Sequence, residues 1–129
     1  MIVVDTNVVA YLLIQGGKTA KAERLFKRDP EWAVPALWRS EMRNVLSLYV
    51  RKGLMTLPKA LGVMQEGIEL VGALEWDVPS EDVLLLAASS RRSAYDCEFV
   101  ALARMLEVPL HTADAALARA FPGCAIFLE

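Results

Sequence analysis

Four carboxylates stand at places where an alternating strand–helix chain would bring them together. Asp5 directly follows the apolar opening run Met1-Ile2-Val3-Val4, and Asp114 comes two residues after Thr112. Asp96 lies in Ser93-Ala94-Tyr95-Asp96 at the opening of a helix, and Glu41 lies about one turn into another, bordering its apolar face. Four such groups crowded at one sheet edge repel, which raises their pKa values and strains the protein unless a cation is present. The ligands on offer are oxygens. The chain has one histidine, His111, and two cysteines, Cys97 and Cys124, none forming a ligand set with the acids. That chemistry selects Mg²⁺ or Mn²⁺ over zinc. A hard cation held by carboxylates serves phosphoryl chemistry, because it polarises a phosphate and lowers the pKa of a bound water.

Each acid also has a plainer reading. Ser93 and Asp96 have capping-box spacing, Asp114 suits the N-cap of a helix reaching Arg119, and Glu41 alone reads as a solvated helix residue. Asn7 reads as the N-cap of a helix over 8–14 that could also orient Asp5, and Thr112 as an ordinary strand residue. Asp5 resists such a reading, since a charge ending the most apolar strand must face something polar. Other chemistries lack material. One histidine leaves little for a serine or cysteine triad, and Gly16-Gly17 is a loop without the lysine and hydroxyl residue of a phosphate-binding P-loop.

The elements that must position these acids are legible as short apolar runs at 1–4, 32–34, 76–78, 110–112 and 125–128, separated by stretches of helical period. Residues 18–28 place Ala22, Leu25 and Phe26 on one side. Residues 37–52 place Trp38, Met42, Val45, Leu46 and Tyr49 on one face. Pro58 opens a helix to about residue 71, and Pro79-Ser80 opens another to about 90. Tyr95, Phe99, Leu102 and Leu106 form an apolar stripe on a helix that stops before Pro109. Strands separated by helices imply crossover connections. The expected class is therefore α/β: a three-layer α-β-α arrangement around a mainly parallel sheet of about five short strands. In such sheets ligands bind outside the carboxyl ends of the strands, where the acids are.

The chain of 129 residues is read as one domain, 1–129. Its hydrophobic share of 55% argues against disorder and leaves apolar surface for a partner chain. No apolar run is long enough to span a bilayer. The opening residues have no basic region of a signal peptide, and two cysteines make no disulfide framework, so the expected location is the cytoplasm. The net charge of −2 excludes a bulk-basic nucleic-acid binder. The charge is nevertheless uneven. Lys18, Lys21, Arg24 and Arg28 recur every three or four residues as a basic stripe, with smaller clusters at Arg39/Arg43 and Arg91-Arg92. Such stripes are commonly solvated helix faces; beside a metal site they are natural contacts for an RNA backbone.

Met1-Ile2-Val3-Val4-Asp5-Thr6-Asn7, Glu41, Ser93 to Ala103 around Asp96, and Leu110-His111-Thr112-Ala113-Asp114 together resemble the PIN-domain signature, with spacing similar to VapC-type toxins of bacterial toxin–antitoxin pairs. The resemblance covers nearly the whole chain, and its four motifs fall in the family's order. It implies a Mg²⁺- or Mn²⁺-dependent ribonuclease, dimeric and held inactive by a cognate antitoxin. By position, Asp5, Glu41, Asp96 and Asp114 would be the acids, with Asp5, Asp96 and Asp114 holding the metal and Asn7 and Thr112 in support. Cys97 and Glu98 depart from the small or apolar residues common after the third acid, and Glu98 brings a nearby charge of unassigned direction. Alternatives remain at this point. One is a housekeeping PIN nuclease acting on ribosomal RNA or DNA flaps, and another is a non-enzymatic α/β protein-binding module. A haloacid-dehalogenase-like phosphatase would need an Asp where Asn7 stands, and a phospho-receiver would need a lysine after its last strand.

Overall fold

A computed structural model describes all residues, Met1–Glu129. Five strands form its sheet: β1 (Ile2–Val4), β2 (Trp32–Pro35), β3 (Glu75–Trp76), β4 (Leu110–Thr112) and β5 (Ala125–Phe127). Seven α-helices connect them: α1 (Thr6–Leu13), α2 (Thr19–Arg28), α3 (Trp38–Arg51), α4 (Leu57–Val71), α5 (Ser80–Ser90), α6 (Ala94–Leu106) and α7 (Ala115–Ala120). The strand order is β3-β2-β1-β4-β5, and all four pairings are parallel. The sheet is thus wholly parallel where the sequence required only a parallel majority.

Alternation along the central strands sorts their side chains between two helical layers. Ile2 and Val4 of β1 join Trp32 and Val34 of β2 in a core built with α1 to α4, through Val8, Leu25, Met42 and Val63. Val3 and Ala33 point the other way, into a core with Phe99, Val100 and Leu102 of α6, Val83 of α5 and Leu117 of α7. Both faces of β1 and β2 are therefore dry, and their apolar runs are continuous rather than alternating.

The start of α3 is fixed twice. Trp38 is fully buried and Gly67 of α4 packs against its ring, so that a Cβ at residue 67 would lie 3.0 Å from Trp38 Cη2. The Trp38 indole N–H and the Arg39 Nε–H both donate to Glu75 Oε1 on β3, the latter at 2.7 Å. This anchors the first turn of α3, from which Glu41 projects.

Several local expectations shift. Strand β3 covers 75–76 rather than 76–78, because only Glu75 and Trp76 find partners, opposite Val34 and Pro35. Helix α1 begins at Thr6 with Asp5 as its N-cap, not at Val8 with Asn7 in that role. Tyr95 is 64% exposed, since its side of the first turn of α6 borders an open cavity while Cys97 of the same turn is packed in the core. Cys124 precedes β5 and is only half-buried, whereas Cys97 is fully buried as a small apolar residue would be.

Candidate active site

The chain leaves β1 for β2 on one side of the sheet and later builds β4 on the other, so the connections diverge at the β1/β4 boundary. A crevice at such a switch point is the expected ligand site of an open parallel sheet. A cavity of about 400 Å³ opens there. Its walls include Asp5, Thr6, Asn7, Glu41, Asp96 and Asp114, with Ser40, Asn44 and Tyr95 around them. All four predicted acids therefore face one space, although no three of them approach closely enough to form a ready-made cation cage.

Asp5 is buried at the end of β1 and both its oxygens are engaged. Oδ1 accepts from the Val8 N–H at 3.1 Å, capping α1, while Oδ2 accepts from the Thr112 hydroxyl and from the Ala113 N–H at 3.0 Å. The Thr112 oxygen in turn accepts from the Asp114 N–H at 3.0 Å, so one hydroxyl links the acids of the two central strands. Asn7 lines the cavity but is not among Asp5's donors. Thr112, unlike Asn7, bonds directly to Asp5.

Asp114 caps α7 and also lines the cavity. Its Oδ1 caps α7 by accepting from Ala116 and Leu117, and its Oδ2 faces the cavity and accepts from Arg92 at 3.0 Å. At Asp96, the Ser93 hydroxyl accepts from the Asp96 N–H as in a capping box, but the carboxylate turns to Arg92 instead of reaching back to Ser93. Glu41 is half-buried and accepts from the Thr6 hydroxyl at 2.7 Å.

Burial pushes the Asp5 carboxyl above its ordinary range; the bonds from Thr112, Ala113 and Val8 oppose this, and Asp114 adds to it. Burial also raises Glu41, against the Thr6 hydrogen bond, with further upward pressure from Asp5, Asp96 and Glu98. The Glu98 charge is thus felt at Glu41, and burial raises Glu98 itself. A raised folded pKa means that the folded chain binds more protons than the unfolded chain. That contribution to stability is complete below the unfolded pKa and is lost as pH rises through the folded one. Glu41→Gln keeps an acceptor for Thr6 and removes this penalty. The variant is expected to exceed wild type in stability above Glu41's raised pKa, with the advantage vanishing as pH falls below the ordinary carboxylate range. Denaturant midpoints for both proteins across pH in EDTA measure this; an advantage absent at neutral pH would disprove it.

The basic stripe divides. Lys21, Arg24 and Arg28 line a hollow with His111 and residues 126–129, and none of them lines the acidic cavity. Lys18 lies beside Tyr11 in a third hollow that shares Asn7 and Val45 with the acidic one. His111 is buried in β4, its pKa lowered by burial and by Arg28.

A family model for the PIN domain matches residues 2–121. The chain belongs to the PIN-domain family. Among curated PIN relatives, Ribonuclease VapC3 of Pyrobaculum aerophilum is 31% identical over 124 residues, covering 94% of this chain and 95% of that protein. Among solved structures, PAE2754 from the same organism superposes with a TM-score of 0.78 at 21% identity, over 98% of this chain and 90% of that one. A toxin–antitoxin complex from Klebsiella pneumoniae superposes with a TM-score of 0.70 at 15% identity, over 98% and 96%. These superpositions establish a common fold with the PIN domain described here.

Two residues that line the cavity, Thr6 and Tyr95, carried no functional expectation, and Arg92, bonded to two of its acids, carried a different one. Thr6 was visible only as the middle of Asp5-Thr6-Asn7, Tyr95 was assigned to a buried stripe, and Arg92 was grouped with Arg91 as a contact for RNA. The structure turns Arg92 inward to the acids.

Proposed function

We propose that this PIN domain, acting over residues 1–129, is a Mg²⁺- or Mn²⁺-dependent ribonuclease and the toxin of a toxin–antitoxin pair. The observation that carries the reading is that Asp5, Glu41, Asp96 and Asp114, from four separate segments, line one cavity at the β1/β4 switch point. The kinship with Ribonuclease VapC3 adds the substrate class. The donor set fits a hard cation: every available ligand is oxygen, and Arg92 already places a positively charged nitrogen between the Asp96 and Asp114 oxygens. Asp5, Asp96 and Asp114 would hold the metal, which supplies polarisation of the phosphate and a lowered pKa of the attacking water. Glu41, with its raised pKa and its Thr6 tether, orients that water and holds its proton. Thr112 keeps Asp5 and Asp114 in register, and exposed Tyr95 offers a ring to a base at the cavity wall.

Lys18, nearest the acidic cavity of the four stripe residues by shared walls, meets the RNA backbone first, and Lys21, Arg24 and Arg28 meet it farther out. The protein acts in the cytoplasm as a homodimer and is silenced by a cognate antitoxin, in keeping with its likeness to the Klebsiella toxin–antitoxin complex. No helix is long and apolar enough to cross a membrane. Purified protein is expected to cleave structured RNA when Mg²⁺ or Mn²⁺ is supplied and to stop in excess EDTA. Cleavage undiminished in EDTA, or none with either ion, would refute the proposal.

A further inference from the structure

Arg92 is the salt-bridged cation among the cavity's acids, and its bonding is unusual for an arginine. A single nitrogen, Nη2, donates to both Asp96 Oδ2 and Asp114 Oδ2, each at 3.0 Å. Arginine normally grips carboxylates through two parallel N–H···O bonds. Here the fork is not used, and the buried Nε has no partner. The charge is therefore well placed and the donors are poorly satisfied, as in a group held by its position between two anions.

The backbone delivers Arg92 to that position. Helix α5 ends at Arg91 in the left-handed region, at φ 63°, a conformation disfavoured for a residue with a side chain. The next N–H, that of Arg92, is fastened to Ser90 Oγ at 3.1 Å, and α6 starts immediately afterwards at the Ser93 cap. The tight turn between two helices thus aims Arg92 at Asp96 four residues on and at Asp114, the N-cap of α7.

We propose that Arg92 is an internal competitor for the divalent cation: it occupies the gap between Asp96 and Asp114 in the metal-free protein and must leave it before a metal can use both carboxylates. The inference rests on the metal-dependent reading of this cavity. A cation that fills the gap neutralises the two acids while the metal is absent, and it lowers apparent metal affinity by the fraction of molecules in which the gap is closed.

Calorimetric titration of Mn²⁺ into the wild-type, Arg92→Gln and Arg92→Lys proteins tests this without reference to cleavage. Arg92→Gln is expected to bind Mn²⁺ on the order of tenfold more tightly than wild type, with Arg92→Lys between them. Equal or weaker binding by Arg92→Gln would overturn the competitor while leaving the metal site standing. Absence of Mn²⁺ binding in all three proteins would overturn the site reading and this inference with it. Should Arg92→Gln fail to fold, the wild-type protein supplies the answer through the side-chain NMR signal of Arg92 during a Mg²⁺ titration. A signal that moves with saturation supports displacement, and one that stays fixed while Mg²⁺ binds overturns it.

Discussion

Asp96→Asn is expected to lose RNA cleavage by roughly 10²–10⁴-fold while folding as wild type does. The two halves of that expectation rest on different atoms of one residue. The part of Asp96 that builds the fold is its N–H, which the Ser93 hydroxyl accepts at 3.0 Å to start α6, and asparagine keeps it. The side chain itself bonds only to Arg92, and an amide oxygen can still accept from that guanidinium. The variant loses one negative charge near a helix N-terminus, about 0.3–1 kcal/mol. For the proposed reaction, however, that charge is one of three that would hold the cation. A single-turnover cleavage assay with matched circular dichroism spectra and thermal melts checks both halves together. Growth arrest on expression should disappear in parallel. An Asp96→Asn protein that cleaves at the wild-type rate would remove Asp96 from the site.

Three of the four acids were legible because each is tied to a boundary that the sequence marks. Asp5 ends an apolar run, Asp114 follows another and precedes helical spacing, and Asp96 sits three residues after a serine cap. The same boundaries explain the misplacements. An acid after a strand can both cap the following helix and face the crevice, and Asp5 does both, which moved the start of α1 two residues earlier than Asn7 suggested. Periodicity assigned Tyr95 to the buried stripe of α6, but periodicity gives a direction around a helix and says nothing of whether a neighbour covers that direction; at Tyr95 the cavity opens instead.

Arg92 was out of reach for a different reason. Its meaning depends on a left-handed turn at Arg91 and on a carboxylate 22 residues away, and no local pattern encodes that pairing. The stripe from Lys18 to Arg28 shows the converse limit. Spacing correctly put Lys21, Arg24 and Arg28 on one face of α2, yet that face opens on His111 and the chain end, away from the acids. Charge spacing reads one helix at a time, whereas the location of a helix face relative to the sheet edge is set by packing. The sheet itself was easier, since continuous apolar runs separated by helices leave a parallel arrangement as the simplest way to bury both faces.

Asp5→Ala is expected to lower stability by about 2–4 kcal/mol as well as abolish cleavage, in contrast to Asp96→Asn. Crowded acids alone would lead one to expect relief of strain on removing Asp5, and its raised pKa shows that burial of the charge does cost something. The bonding argues that the loss outweighs the relief. Three donors converge on the carboxylate: the Val8 N–H, the Thr112 hydroxyl and the Ala113 N–H. Val8 and Thr112 are fully buried, so truncation strands polar groups where few other acceptors exist, and α1 loses its cap in the same step. Asp5→Asn should fall between wild type and alanine. One carbonyl oxygen can serve Val8 or the Thr112–Ala113 pair, and the amide nitrogen then turns its own donors towards whichever remains. Denaturant midpoints of the metal-free proteins should therefore rank wild type above Asp5→Asn and Asp5→Ala last. If Asp5→Ala unfolds at the wild-type midpoint, water entering from the cavity satisfies those donors, and Asp5 contributes chemistry without holding β1, α1 and β4 together.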